Sequence, residues 1–169
     1  MLQHVLAAAG DVGLDEILVV VGHAANEVAA AVRLPSRARF VLNPDYEQGQ
    51  STSLRAGLRA ADPGTGAALI LLGDQPGVRR DAIEAVAEGW RRGAGPIVQA
   101  SYQGRTAHPT LFDRSVWPEL ERAAGDEGAR SLLDAHRDWL RPVEVGGLPP
   151  DDIDTEDDYA RVRRAFEPL

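Results

Sequence analysis

The sequence predicts an α/β fold: a mostly parallel sheet covered on both faces by helices, with an antiparallel element at an edge. Three observations carry this expectation. Apolar spacing alternates between the helical 3.6-residue type and short continuous runs. The runs "EILVVV" and "ALILL" are unbroken, the pattern of strands buried on both faces. In the second half, "PIVQASY" and "HPTLF" flank a turn at Gln103-Gly104, which reads as a hairpin.

Each element follows from its own spacing. Leu2, Val5, Leu6 and Ala9 form a helical stripe that Gly10 and Gly13 stop. "EILVVVGH" is a strand ending at Gly22. Ala25, Val28, Ala29 and Val32 form a second stripe, halted before Pro35, and "ARFVLN" is a short strand. A helix runs from about Gln50 to Ala61 with Leu54 and Leu58 inward, and "ALILLG" is the next strand. Ile83, Val86, Ala87 and Trp90 give a clean helical face. Ser115 is placed to cap a helix whose first turn holds Pro118, and Asp126 to cap "EGARSLLDAH". "LRPVEV" is a last strand. Thr155 with Asp158 resembles a capping box, opening a helix that buries Tyr159, Val162 and Phe166. The first helix starts at residue 2 with no strand ahead of it. In an α/β sheet the first strand and its loop carry phosphate-binding function, so the sequence reads as beginning one step late.

Composition bounds the function. The 169 residues fit one domain, 1–169, with no repeat or linker. The net charge of −8 argues against nucleic-acid or acidic-membrane binding through a basic face. No apolar run approaches a membrane span, and "MLQHVLAAAG" lacks the features of a signal peptide. Without Cys the expected compartment is the cytoplasm. All 18 basic residues are Arg, so no lysine-based chemistry is available. Positive charge at an anionic ligand must come from Arg, backbone N–H groups or metal.

Ligands of open α/β sheets sit beyond the carboxyl ends of the strands. Three strands end in polar residues there: His23, Asn43 and Asp74. Asp74, after Gly73 and before the turn Gln75-Pro76-Gly77, suits Mg²⁺ held jointly with phosphates; an Asx-turn is the alternative. Gly49, Gln50, Ser51, Thr52 and Ser53 open a helix and offer N–H groups and hydroxyls to a base, ribose or phosphate; ordinary capping by Ser51 or Thr52 is the alternative. In the acidic run after Pro150, Asp154 lies between Ile153 and Thr155, where it could reach the metal of Asp74. His4 reads as a surface residue, His136 as a packed core residue, and His23 and His108 as lying at strand ends. No zinc spacing, no Gly-x-Ser-x-Gly and no Gly-x-Gly-x-x-Gly is present.

In order along the chain, "GQSTSLRAGL", "LLGDQPGV", "HPTLF", "GDEGARSLL" and "DIDTEDDY" resemble the MobA-like nucleotidyltransferases. These are the molybdenum cofactor cytidylyltransferases and guanylyltransferases, and the cytidylyltransferase branch is the nearer. The resemblance implies a Rossmann-like three-layer sandwich that transfers a nucleoside monophosphate from CTP or another NTP to a phosphorylated, molybdopterin-type acceptor. Mg²⁺ is the implied cofactor. Asp74 matches the metal-binding Asp, Ser51 and Ser53 the nucleotide loop, His108 the acceptor-side motif, and Asp154 the C-terminal Asp near the metal. Asp74 and His108 are thus the implied catalytic pair, with Gly49, Gln50, Ser51, Ser53 and Asp74 on the nucleotide.

Two departures stand out. Ala107 replaces a Gly of the family pattern. The family's first strand and Gly-rich loop, with its Arg and Lys, have no counterpart in the sequence, so the domain reads as N-terminally incomplete. Weak or absent transferase activity of this chain alone is therefore expected. Two other readings share the scaffold: an NAD(P)H-dependent reductase, and a non-catalytic module that delivers molybdenum cofactor to a molybdoenzyme.

Overall fold

A computed structural model describes residues 1–153, 155, 158 and 160. The elements in chain order are α1 (Leu2–Gly10), β1 (Ile17–Val21), α2 (Ala25–Ala31), β2 (Ala38–Leu42), α3 (Gln50–Ala60) and β3 (Ala67–Ile70). There follow α4 (Arg80–Arg91), β4 (Ile97–Tyr102), β5 (Arg105–Asp113), α5 (Trp117–Leu120), α6 (Arg130–Ala135) and β6 (Leu140–Glu144). Short 3₁₀ turns occupy Tyr46–Gln48, Arg114–Val116 and Gly125–Glu127.

The strands form two sheets. β1 and β2 pair in parallel, from Ile17 opposite Ala38 to Val21 opposite Leu42. The second sheet has the order β3-β5-β4-β6. β5 is antiparallel to both of its neighbours, and β4 is parallel to β6, so β3, β4 and β6 share one direction. The antiparallel strand therefore lies inside its sheet, between β3 and β4, and not at the rim. The turn explains this. Gln103 and Gly104 both have positive φ, 54° and 83°, the geometry that folds a chain straight back alongside itself. β5 then pairs with β4 through one edge and β3 through the other.

Alternation along the strands feeds two cores. Ile97 and Phe112 point to one face, where Leu58 of α3 and Trp117 and Leu120 of α5 pack. Val98, Ala100, Tyr102 and Leu111 point to the other, against Ala82 and Val86 of α4. A third cluster joins α1 to α4 through Val5, Ala9 and Ile83. This is the three-layer arrangement anticipated from the sequence. Among the described residues no helix is long and apolar enough to cross a membrane.

Several local expectations need correction. Ser115 is not a helix cap: the Asp113 carboxylate accepts from the Ser115 N–H at 2.9 Å, caps the 3₁₀ turn, and also accepts from Trp90 Nε1 at 2.8 Å. An anion fixed at the end of β5 reaches the free N–H groups better than a hydroxyl two residues later. Asp126 does not cap α6, which starts only at Arg130; Gly128, at φ 54°, breaks the path between them. His136 is only half-buried, stacked on Trp139 at 3.8 Å. His108 lies within β5, not at a strand end. The stripe of α2 includes no fully buried residue. The capping box is formed: Thr155 N and Oγ1 donate to Asp158 Oδ2 at 3.1 and 2.6 Å, and Asp158 N donates back to Thr155 Oγ1 at 3.1 Å. Tyr159, Val162, Phe166 and Asp154 lie outside the described residues.

The identity of the cap is testable. Asp113→Ala should lower the unfolding free energy by about 2 kcal/mol or more, since it removes a cap and orphans the indole N–H. Ser115→Ala should cost less than about 1 kcal/mol. Urea denaturation of the two variants checks the order.

Candidate active site

The end of β2 and the start of α3 are joined by one buried side chain. Asn43, immediately after β2, is 2% exposed. Its Nδ2 donates to Thr52 Oγ1 at 2.8 Å and Ser53 Oγ at 3.0 Å, and its Oδ1 accepts from Asp45 N at 3.1 Å. The first turn of α3 is thereby bolted to the end of the small sheet. Capping by Ser51 or Thr52 does not occur: the N-cap is Gly49, at φ 105°, and makes no side-chain cap bond. Thr52 Oγ1 instead interacts with the Asp45 and Gly49 carbonyls, at 3.0 and 2.8 Å. Gly49 is required by crowding as well as by φ. A Cβ there would stand 2.6 Å from the Gly125 carbonyl carbon and 2.7 Å from Asp126 Oδ1. The segment Gly125–Gly128 thus covers the start of α3.

The loop after β3 carries the second group. β3 ends at Ile70, and Asp74 follows four residues later, exposed. Gly73 and Gln75, on either side of it, line a large cavity at the strand ends. The turn Gln75-Pro76-Gly77 is closed by Val78 N donating to the Gln75 carbonyl at 3.1 Å. The strap that leaves β6 is fastened along this loop. Arg79 donates to the Val145 and Gly146 carbonyls at 3.0 and 3.1 Å and pairs with Asp81. Gln75 Nε2 donates to Asp152 Oδ1 at 2.6 Å, and Ile153 N donates to the Asp74 carbonyl at 3.2 Å. Asp152 is held beside Asp74 in this way. Gln75, Arg79 and Asp152 were not singled out by sequence reasoning; only the order "GDQP" then "DID" hinted that the two segments meet.

His108, on β5, lies within electrostatic reach of both carboxylates. Its Nδ1 lies 3.3 Å from the Ile70 carbonyl, which can only accept, so Nδ1 carries the proton and Nε2 is left as an acceptor. Burial pushes the imidazole below its ordinary 6.5, against the opposing pull of the Ile70 carbonyl, Asp152 and Asp74. His108 is therefore neutral at physiological pH.

The structure brings Gln50, Ser53, Gln75, His108 and Asp152 onto one cavity. It does not bring all predicted residues there. Gly49 is covered by Gly125 and Asp126, and the Ser51 hydroxyl is fully buried with no partner among the described residues. His23 is exposed beyond β1, edge-on to Tyr46 at 5.9 Å. Among the described residues no three His, Asp or Glu side chains converge as a complete metal shell. Asp74 and Asp152 are hard oxygen donors, and the buried Gln75 Oε1 has no partner among the described residues. That set fits a divalent cation whose remaining ligands are water and phosphate oxygens, and does not fit an all-protein cage.

Two outcomes follow. Gly49→Ala should destabilise the fold by about 1–3 kcal/mol, because a Cβ meets backbone at a positive φ; thermal denaturation against Gly13→Ala, where space is open, checks it. Lowering pH below about 6.5 protonates His108 in the unfolded chain before the folded one. Stability should fall there by at most about 1.4 kcal/mol per pH unit from this group. Urea midpoints at pH 7.5 and 5.5 should differ less in His108→Gln than in the parent.

Residues 1–139 match the MobA-like NTP transferase domain family. The purine catabolism protein PucB of Bacillus subtilis (strain 168) is 34% identical over 164 residues, spanning 90% of this chain and 78% of that protein. The crystal structure of Rv0371c from Mycobacterium tuberculosis H37Rv superposes with a TM-score of 0.85 at 31% identity, covering 96% of this chain and 82% of that one. Its complex with manganese superposes with a TM-score of 0.82, also at 31% identity, covering 95% and 84%. The chain belongs to the MobA-like NTP transferase domain family and is, by that membership, a transferase.

Proposed function

We propose that this chain transfers a nucleoside monophosphate from CTP to a phosphorylated, molybdopterin-type acceptor in the cytoplasm, with Mg²⁺ as cofactor and a molybdoenzyme as the eventual recipient. The observation that carries the reading is the Asp74–Asp152 pair, joined through Gln75 and Ile153 at the mouth of a cavity that also holds Gln50, Ser53 and His108. The manganese complex of a relative supports a divalent cation on this scaffold.

In the proposed step an acceptor phosphate oxygen bonds to the α-phosphorus, the bond to the β-phosphate breaks, and pyrophosphate leaves. Such transfer depends on positioning and charge neutralisation. A bound cation supplies the neutralisation on the phosphates. Asp74 and Asp152 hold it, with Asp154 as a further candidate ligand. Gln50 and Ser53 hydrogen-bond the nucleotide, and Gly49 and Ser51 shape the helix start behind them. His108 stays neutral and offers Nε2 as an acceptor on the acceptor side. With no Lys in the sequence, Arg supplies the side-chain cations.

Calorimetric titration tests the reading. CTP should bind in the presence of Mg²⁺, and Asp74→Asn should weaken that binding at least about tenfold without weakening metal-free binding. Equal Mg²⁺-dependent affinity in parent and variant would overturn the assignment of Asp74. GTP binding as tightly as CTP would overturn the choice of base.

A further inference from the structure

We propose that Arg79 is a positioning residue for the cation site: it sets where Asp152 stands, and so the affinity for metal, without touching the cavity. The inference rests on the reading of Asp74 and Asp152 as cation ligands given above. The strap after β6 lies against the Asp74 loop in reverse order. Arg79 Nη2 and Nη1 donate to the Val145 and Gly146 carbonyls at 3.0 and 3.1 Å. The Cβ position of Gly77 is 3.8 Å from Pro150 Cβ. Gln75 Nε2 donates to Asp152, and Ile153 N to the Asp74 carbonyl. Arg79 and Asp152 thus mark the two ends of one line of contact.

Burial does not hold the strap. None of residues 146–153 is fully buried, and Leu148 is 77% exposed. Polar ties therefore fix its path. Val145 N still donates to the Ser101 carbonyl, continuing the pairing of β6, so the strap departs at Gly146. Gly146 and Gly147 have positive φ, 64° and 74°, and form the pivot. Beyond it Pro149 and Pro150 have fixed φ, and the residue ahead of each is restricted. A stiff arm carries a change of direction at the pivot to Asp152 instead of absorbing it.

Arg79 is the side-chain tie at that pivot, and it is itself anchored. Its Nε donates to Asp81 Oδ1 at 2.9 Å, and its Nη2 to Asp81 Oδ2. Asp81 lies in the first turn of α4, whose Ala82, Ile83 and Val86 are 0% exposed. One planar fork thereby joins a buried helix to two successive strap carbonyls, a geometry an ammonium cannot reproduce. Arg79 is not part of the cavity lining, so any effect it has on metal is transmitted. Gly147 reports the same close fit: a Cβ there would stand 2.4 Å from Arg79 Nη1, so a side chain at 147 drives the fork away.

The experiment measures Mn²⁺ binding by electron paramagnetic resonance, with CTP present, in a double-mutant cycle of Arg79→Gln and Asp152→Asn. Arg79→Gln should weaken Mn²⁺ binding at least about threefold, less than the roughly tenfold or more that follows loss of a group bonded directly to a ligand. In the Asp152→Asn background the same change should have no effect, because the group it positions is gone. Gly147→Ala should reproduce both results without altering charge. Arg79→Lys should recover no more than part of the affinity. Amide hydrogen exchange gives a readout independent of metal. In metal-free protein, Arg79→Gln should speed exchange at Ile153 at least about tenfold and leave the α4 amides unchanged. Unchanged exchange at Ile153, equal weakening of Mn²⁺ binding in both backgrounds, or full recovery by Arg79→Lys would overturn the proposal and leave the cation reading standing. No Mn²⁺ binding by the parent, or equal binding by Asp152→Asn, would overturn the cation reading itself, and the proposal with it.

Discussion

The two sheets share no strand, so their relative placement depends on Glu16. Its carboxylate accepts from the Asp62 N–H and the Thr65 hydroxyl at the entrance to β3, and it lies 3.7 Å from Arg39 Nη2 on β2. Arg39 in turn donates to the Ala60 carbonyl at the end of α3. One half-exposed cluster thus ties β1, β2, α3 and the large sheet together at the end remote from the candidate site. Hydrogen bonds to a charged group contribute about 1.5–3 kcal/mol each, more than a neutral pair. The helices do the rest: α3 packs on β1, while α1 reaches α4 across the gap.

With the starts of β1 and β3 fixed together, their ends open on a shared space, and the polar residues there are brought into range. Asn43 holds the start of α3, and Gln75 holds Asp152. Both are buried amides: Asn43 reaches the helix that follows it, and Gln75 a segment 77 residues away. An amide suits this work because it donates and accepts without the desolvation cost of a charge. The carboxylates remain free to face solvent and ligand.

The sequence made the elements legible wherever apolar spacing was clean. The α4 face of Ile83, Val86 and Ala87 is fully buried as its period required, and the turn at Gln103-Gly104 formed where two strand runs met it. What stayed hidden was pairing. Nothing local in "HPTLF" states that β5 lies between two strands, because strand order is decided by edges far apart in sequence. The same limit applies to the site. Asp74 was visible as a carboxylate after a buried run, but its neighbour Asp152 depends on Gln75, 77 residues away. Ser115 does not cap because Asp113, two residues earlier, is the stronger cap, and local propensity cannot rank two residues that close.

Charge decides how the cavity can treat a nucleotide. Away from Glu16, its described lining includes Asp126, Asp134 and Asp152 against Arg130 and Arg137, with Asp74 exposed between two lining residues. His108 adds no positive charge, because burial keeps it neutral. A triphosphate alone therefore meets a surface of net negative charge, which repels it. A cation bound by Asp74 and Asp152 reverses that balance. Removing it restores repulsion from the same carboxylates, so under the transferase reading nucleotide and metal bind as a linked pair. The tether from Gln75 to Asp152 then sets more than geometry. By holding the second carboxylate beside Asp74, it would, on that reading, couple nucleotide affinity to the metal.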